Sequence, residues 1–525
     1  MLIQILLLSL ISTLSTGWIW HPLTWPMIYP VVTGFFVGLI LNDPVSGAVA
    51  GAYINLLYLS WITAGGAMPG NIMFAGVFGT AFTIICGLDP IIAPVVAIPM
   101  SLLGNLFWRL QMTINSRWVN LAEKYADSGK IKSIELTAYL YPQIAIFLIY
   151  LVPSSLLIYQ AATLKDIFMD VPVIITDALA VAGGLFPVIG IAMILNYLFK
   201  LKVFPYFLIG YFAVCLLNLH MAVIALFGFF IAVIQVLNRY DGNPWLTQKS
   251  DDNCGVITNK PNRINLIKHW LRCYSQEACY NYKSLQAVGA CAAIIPVIRD
   301  LYKNNEQKMG DVLKNYLVFF NTEPGFIGPS IAGVAASMEV EKVNGLLADN
   351  TDIQTIRTGL MGPLAGMGDY LVNATIYPLL IAVSISLAID GYTAGPLLFL
   401  IIFGSLMLYT GYRTYMMGYC YGKNAITSIL KSDLLKLINE TMLPVSILSL
   451  GALSASVLHI TINWGLFQGE INLGIARVIS ALAPLLVLMV TWFIVKKKLP
   501  LYMVIAAVII LALLASGLGI LVPAV

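Results

Sequence analysis

The chain has 525 residues, of which 59% are hydrophobic and only 10% charged, where a soluble domain carries about 45–50% and about 25%. A formal net charge of +4 over this length gives no basis for binding nucleic acid. The seven cysteines are scattered, and three of them (Cys86, Cys215 and Cys420) sit in apolar surroundings, which speaks against a disulfide framework. These numbers describe an all-α polytopic membrane protein.

A bilayer-spanning helix takes about 20 apolar residues, and such stretches recur along the chain. In order they run over 2–16, 25–41, 45–64, 72–88, 91–108, 138–160, 183–199 and 204–236, then after a polar interval over 374–388, 394–412, 443–460, 479–495 and 501–523. Several fall short of a full span, which predicts re-entrant or half helices. No Lys or Arg precedes the first stretch, so it reads as a retained helix and not as a secretory signal, which opens with a positively charged region.

Asn42-Asp43-Pro44 separates the second stretch from the third, with Asp43 placed to cap the helix that follows. Asn55 stands within that helix. Beyond it Gly65-Gly66-Ala67-Met68-Pro69 interrupts the apolar run, and Asn71 follows the interruption. Broken backbone at membrane depth is tolerated only where protein buries it or where it lines a cavity. Two amides bracketing such a break either glue helices together or contact a polar solute.

The composition shifts between Arg239 and Lys314. Asp241-Gly242-Asn243-Pro244 opens a stretch, ending in Asn259-Lys260-Pro261-Asn262, that is too polar to bury an apolar face. The expected organisation is two membrane domains, 1–240 and 263–525, joined by a linker, 241–262. Lys and Arg crowd this interval, the loop from Arg109 to Lys132, and Lys496-Lys497-Lys498, which places all three on the cytoplasmic side. Ile264, Leu266, Ile267, Trp270 and Leu271, interleaved with Lys268, His269 and Arg272, predict an amphipathic helix on the membrane surface or against the first half. His21, His220, His269 and His459 are the only histidines, and no two lie within a helical turn. The group His269, Cys273, Cys279 and Cys291 has no C-x-x-C spacing and reads as structural, so neither metal nor cofactor is expected.

In the second half, Phe319-Phe320-Asn321-Thr322-Glu323-Pro324-Gly325 sets an amide, a hydroxyl and a carboxylate beside two aromatics. A sugar needs that combination, since its C–H faces stack while its hydroxyls donate and accept; a helix end capped by Asn321 and Thr322 is the plainer reading. The run Gly359 to Asp369 lacks the G-x-x-x-x-G-K-[ST] of a phosphate loop. Gly362-x-x-x-Gly366 suits close helix packing. Asp369 after the last glycine is costly inside a membrane unless it meets solvent, ligand or a partner, which favours a helix broken over 359–369 and lining a cavity.

At these residues the chain resembles the mannose/fructose/sorbose family of sugar phosphotransferase permeases, the first half its C component and the second its D component. The likeness rests on Leu39–Gly51, Leu57–Ala81, Arg109–Lys132 and Ala180–Val236, and then on Tyr280-Asn281-Tyr282, Leu285-Gln286, Phe319 to Thr322, Gly359 to Asp369, Gly395 to Phe399 and Tyr421-Gly422. The resemblance implies two pseudo-symmetric halves working as an elevator-type carrier, a homotrimer in a bacterial cytoplasmic membrane, and sugar phosphorylated by separate cytoplasmic A and B proteins. No phosphoryl-carrying or catalytic residue of its own is then expected, and the implied sugar-binding set is Asn55, Gly65, Gly66, Asn71, Asn321, Thr322, Glu323 and Asp369. Asn55 and Asn71 stand where many C components have Glu and Asp, and Glu323 where D components usually have Gln or His. Such changes leave an uncoupled facilitator or a surface receptor as the alternative.

Overall fold

Apolar runs punctuated by Pro and Gly fold into short helices. The structure, a computed structural model, describes residues 1–59, 70–239, 259–303, 305–347, 350–372, 376–422, 433–458, 461–462, 473–497, 501–517 and 521–522. The first half carries α1 (Leu2–Gly17), α2 (His21–Thr24), α3 (Pro30–Leu41), α4 (Pro44–Leu57), α5 (Ile72–Phe74), α6 (Thr80–Cys86), α7 (Ala93–Asp127), α8 (Ile131–Tyr159), α9 (Ala161–Met169), α10 (Val173–Leu198), α11 (Phe204–Leu217) and α12 (Met221–Arg239). The second carries α13 (Arg263–Cys273), α14 (Ala287–Leu301), α15 (Glu306–Lys314), α16 (Pro329–Val343), α17 (Asn350–Leu371), α18 (Tyr377–Ile389), α19 (Ala394–Tyr421), α20 (Asp433–Val457), α21 (Leu473–Lys496) and α22 (Leu501–Gly517). A two-residue antiparallel pair, Thr461–Ile462 with Leu521–Val522, is the extended structure among the described residues. Of the segment 241–262, residues up to Thr258 lie outside them.

Among the described residues five helices are long and apolar enough to cross a membrane: Pro90–Asp127, Ile131–Tyr159, Ile175–Asn196, Ala394–Tyr421 and Glu440–Val457. The pair Leu2–Gly17 and His21–Ile28, bent by 114°, makes a sixth if counted as one span. Other helices are half-length. α3 and α4 have 12 and 14 residues, about 18 and 21 Å at 1.5 Å per residue, against a hydrocarbon core of about 30 Å. They turn on Asn42, which is left-handed at φ 63, and Asp43 caps α4 by accepting the Ser46 N–H at 3.1 Å. Glycines let the two backbones meet: a Cβ on Gly34 would stand 2.5 Å from the Gly47 carbonyl oxygen.

One expectation changes here. The run 359–369 is not a break, because α17 continues as helix from Asn350 through Pro363 to Leu371; a proline removes one backbone hydrogen bond, and the turns on either side hold. Its Gly359, Gly362 and Gly366 have nothing within 4 Å of a would-be Cβ among the described residues. The amphipathic α13 keeps Ile264 and Ile267 exposed and takes its packing mainly from the second half. It buries Leu266, His269 and Cys273 and packs on α14 of its own half, with Arg272 reaching Glu135 of α8 at 2.7 Å.

The halves interlock along most of their length. α4 packs on α18, α11 and α12 on α20, α10 on α21 and α22, and α7 on α15. One apolar core therefore draws on both halves, joining Trp18, Phe207 and Trp108 to Tyr274, Phe326, Phe399 and Leu453. A second joins Val119 and Ile134 to Ile295, Leu313 and Met338. Buried thiols sit at this seam as small donors, Cys279 to the Asn115 carbonyl at 3.9 Å and Cys291 to that of Leu313 at 3.4 Å.

Candidate functional site

The sharp bend after α1 begins at Trp18, a left-handed residue at φ 45. Second-half groups hold the bend: the Ser275 hydroxyl donates to the Ile19 carbonyl, and the His21 N–H donates to the Tyr274 carbonyl at 3.0 Å. Trp18 is thereby turned toward Trp108 of α7, ring centroids 5.0 Å apart, and toward Tyr280 of the second half at 5.6 Å. These rings wall one side of a cavity of about 370 Å³ at the junction of the halves, which Trp25 and Tyr282 also line.

Polar groups converge on the same space. Glu277, Asn321, Thr322, Glu323 and Asp369 line it from the second half, Asn105 and Arg109 from the first. The Tyr280 hydroxyl donates to Asn321 Oδ1 at 3.4 Å, and Asn115 Nδ2 donates to the Tyr280 carbonyl at 3.0 Å. Gln286 clamps Thr322 through both of its backbone groups, at 2.7 and 3.0 Å, while the Thr322 hydroxyl makes no hydrogen bond among the described residues. Glu277 is held twice, by His21 Nε2 at 2.7 Å and Gln286 Nε2 at 2.8 Å. Glu323 is buried and faces backbone. Its carboxylate accepts the N–H groups of Gly325 at 2.6 Å, Phe326 at 2.9 Å and Ile327 at 2.8 Å, the turn that leads into α16.

The structure thus brings Asn321, Thr322, Glu323 and Asp369 to one cavity, and it leaves Asn55 and Asn71 outside that lining. Both amides are engaged by protein. Asn55 accepts the Val31 N–H at 3.4 Å and donates to the Tyr377 hydroxyl at 3.1 Å, tying the α3–α4 hairpin to α18. Asn71 caps α5 through the Phe74 N–H at 2.9 Å and donates to the Gly104 carbonyl at 3.1 Å. Gly65 and Gly66 lie outside the described residues. Sequence reasoning missed Trp18, Trp25, Trp108, His21 and Glu277 as site residues. The dense aromatic run Trp18-Ile19-Trp20-His21 with Trp25 was the signal available.

Gly368 and Gly362 separate contact from open space on one helix. A Cβ on Gly368 would lie 2.7 Å from Glu323 Cβ and 2.8 Å from its Cγ, an overlap that costs about 1–3 kcal/mol. Gly368→Ala is expected to lower both uptake and the thermal midpoint. Gly362→Ala meets nothing among the described residues, and the helix propensity of alanine should raise stability by up to about 1 kcal/mol. Thermal unfolding of the two purified variants checks the contrast, and equal midpoints would remove the Gly368–Glu323 contact from the account.

The comparisons with known proteins agree on the chain's kinship. The model of the mannose/fructose/sorbose family IID component of the phosphotransferase system matches residues 262–521, and that of the sorbose-specific IIC component matches residues 2–234. The sorbose-specific EIID component of Klebsiella pneumoniae is 40% identical over 176 residues, 34% of this chain and 63% of that protein, so the match spans just under two thirds of the relative. The mannose-specific EIID component of Escherichia coli K12 is 34% identical over 193 residues, 37% of this chain and 68% of that protein. The fructose permease IIC component of Bacillus subtilis 168 is 26% identical over 236 residues, 43% of this chain and 86% of that protein. Among solved structures, a mannose transporter ManYZ complex with microcin E492 is 28% identical, covering 50% of this chain and 99% of that one at a TM-score of 0.31. With an IIC-type first half and an IID-type second half in a single polypeptide, the chain belongs to the mannose/fructose/sorbose family of the phosphotransferase system.

Proposed function

We propose that the chain is the sugar permease of a phosphoenolpyruvate-dependent phosphotransferase system, which binds a hexose or amino sugar in the aromatic cavity and releases it to cytoplasmic A and B proteins for phosphorylation. The observation that carries this reading is the cavity itself. Trp18, Trp108 and Tyr280 offer rings for sugar C–H groups, and Asn321, Thr322 and Asp369 line the same cavity. Closure of the site by residues of both halves supports the view that neither half works alone, so domains 1–240 and 263–525 act as one unit. Half-length hairpins such as α3–α4 suit an elevator-type carrier with two pseudo-symmetric halves, assembled as a homotrimer in the bacterial cytoplasmic membrane.

Uptake of labelled hexoses and amino sugars into vesicles, with and without the A and B proteins and phosphoenolpyruvate, tests the reading. Accumulation that needs all of them supports it. Equal uptake without phosphoenolpyruvate would make the chain an uncoupled facilitator instead.

Asp369 is the lining carboxylate whose side chain has no protein hydrogen-bond partner among the described residues. Asp369→Asn is expected to cut uptake ten-fold or more, the equivalent of about 1.4 kcal/mol, as a charge-assisted bond to a sugar hydroxyl is weakened. The variant should still reach the membrane. Wild-type uptake would place Asp369 outside the sugar contact.

A further inference from the structure

The halves meet a second time on the side that the Lys and Arg distribution assigns to the cytoplasm. There the α7–α8 turn is seated on α15. A Cβ on Gly310 would stand 2.2 Å from the Ala126 carbonyl oxygen, Gly129 turns at φ +67 with the Glu306 carbonyl 3.2 Å from its Cβ position, and Asp127 pairs with Lys314. Beside this close contact opens a groove of about 570 Å³ whose charged lining is Lys130, Lys132, Arg299, Lys303 and Glu306. Four cations and one carboxylate face one space. Among the described residues Lys130, Lys132 and Lys303 form no ion pair, and Arg299 shares the Glu135 carboxylate with Arg272. A cleft lined by one sign of charge focuses its field and draws in the opposite sign.

The surroundings favour a soluble partner over lipid. Exposed leucines on α8 run from Leu136 through Leu140 and Leu148 to Leu156, a stripe of about 30 Å that matches the hydrocarbon thickness. Lys132 and Lys130 stand about 6 and 9 Å beyond its end. Across the groove, every exposed residue among those described from Arg299 to Asp311 is polar, whereas a segment resting on a bilayer inserts Trp, Phe or Leu.

We propose that this groove docks the acidic face of a soluble cytoplasmic protein, the phosphoryl donor of the function proposed above, on which the donor's identity rests. Because α7–α8 supplies two of its cations and α14–α15 the others, the docked protein would bridge the halves. It binds there by charge, and phosphoryl chemistry takes place elsewhere.

The test uses the full chain in neutral phosphatidylcholine nanodiscs and the purified cytoplasmic B protein. Binding to the wild type should weaken about ten-fold or more between about 50 and about 300 mM salt, and Lys130→Glu/Lys132→Glu/Lys303→Glu should weaken it about 30-fold or more. The triple Lys→Arg variant should bind like the wild type, and quenching of tryptophan fluorescence by sugar should be the same in all three, since the aromatic cavity is untouched. Unchanged binding by the charge-reversed protein overturns the proposal. So does a variant that loses only retained phosphatidylglycerol, which makes the groove a lipid site. If the donor fails to bind any form while uptake still depends on it, the groove assignment fails and the permease reading stands. If uptake needs no donor, the permease reading itself falls.

Discussion

Glu323→Ala is expected to abolish uptake and to lower the thermal midpoint more than any other single change in the cavity wall. The side chain is 3% exposed, and it accepts three backbone N–H groups between Gly325 and Ile327 within 2.9 Å. Such a nest of amides ahead of a helix favours a negative group. Alanine would leave those donors buried and unsatisfied at about 1–3 kcal/mol each, a loss of several kcal/mol in a protein whose whole margin is about 5–15. Glutamine keeps one accepting oxygen but turns an NH2 toward N–H donors, so Glu323→Gln should be intermediate. The geometry also changes what this carboxylate does for specificity. Its oxygens are spent on backbone N–H groups and not left free for a cationic amino sugar. Competition by glucosamine, mannose and sorbose should therefore give the same profile in Glu323→Gln as in the wild type, at lower total uptake. A Glu323→Ala protein with a wild-type midpoint would show that the turn does not depend on the carboxylate.

How far the sequence could be read follows the range of the interactions involved. Asp43 was legible as a cap because the cap is local, three residues from the Ser46 N–H it accepts. That some apolar runs fall short of a full span was legible too, since length against bilayer thickness is a property of each run alone, but 45–64 reads as a full span where α4 ends at Leu57. The glycine run of α17 misled for the same local reason. Glycine and proline lower helix propensity there, but in the fold the helix persists and, among the described residues, Gly368 alone of this run makes a close approach, to a glutamate 45 positions earlier. Asn321, Thr322, Glu323 and Asp369, singled out as polar groups in apolar company, line one cavity. Asn55 and Asn71 carry the same signature and serve as ties between helices, because a buried amide must be satisfied whether its partner is a ligand or protein. The aromatic wall lay beyond reach. Trp18 faces Tyr280 only because the chain bends after α1, and the groups that hold the bend, Ser275 and Tyr274, lie more than 250 residues away. No periodicity encodes a contact of that span.

The same cross-half contact predicts how the halves will behave when separated. His21 is completely buried and sits with Nδ1 on the Tyr274 carbonyl and Nε2 on Glu277 Oε2 at 2.7 Å, and Glu277 is 11% exposed in the side chain. Gln286 extends the chain of bonds from Glu277 to Thr322, at 2.8 and 2.7 Å, so the histidine of the first half orders the wall of the cavity contributed by the second. Residues 1–240 and 263–525 expressed as separate chains should co-purify and restore uptake, since the stretch between them supplies only effective concentration. His21→Ala strips the Glu277 carboxylate of one of its two partners, leaving Gln286, a loss of about 1–3 kcal/mol, or about one to two decades of affinity between the separated halves. In the intact chain the tether masks most of the association loss, leaving a lower thermal midpoint and weaker sugar binding through the displaced Glu277–Gln286–Thr322 chain. Glu277→Gln offers the complementary arm. It retains an oxygen that can accept from His21 Nε2 and should lose less than His21→Ala, while a neutral cavity-filling contact would make the two equal. Split halves carrying His21→Ala that co-purify as strongly as the wild type would show that the interlocked helices α4, α18 and α20 hold the molecule together without this pair.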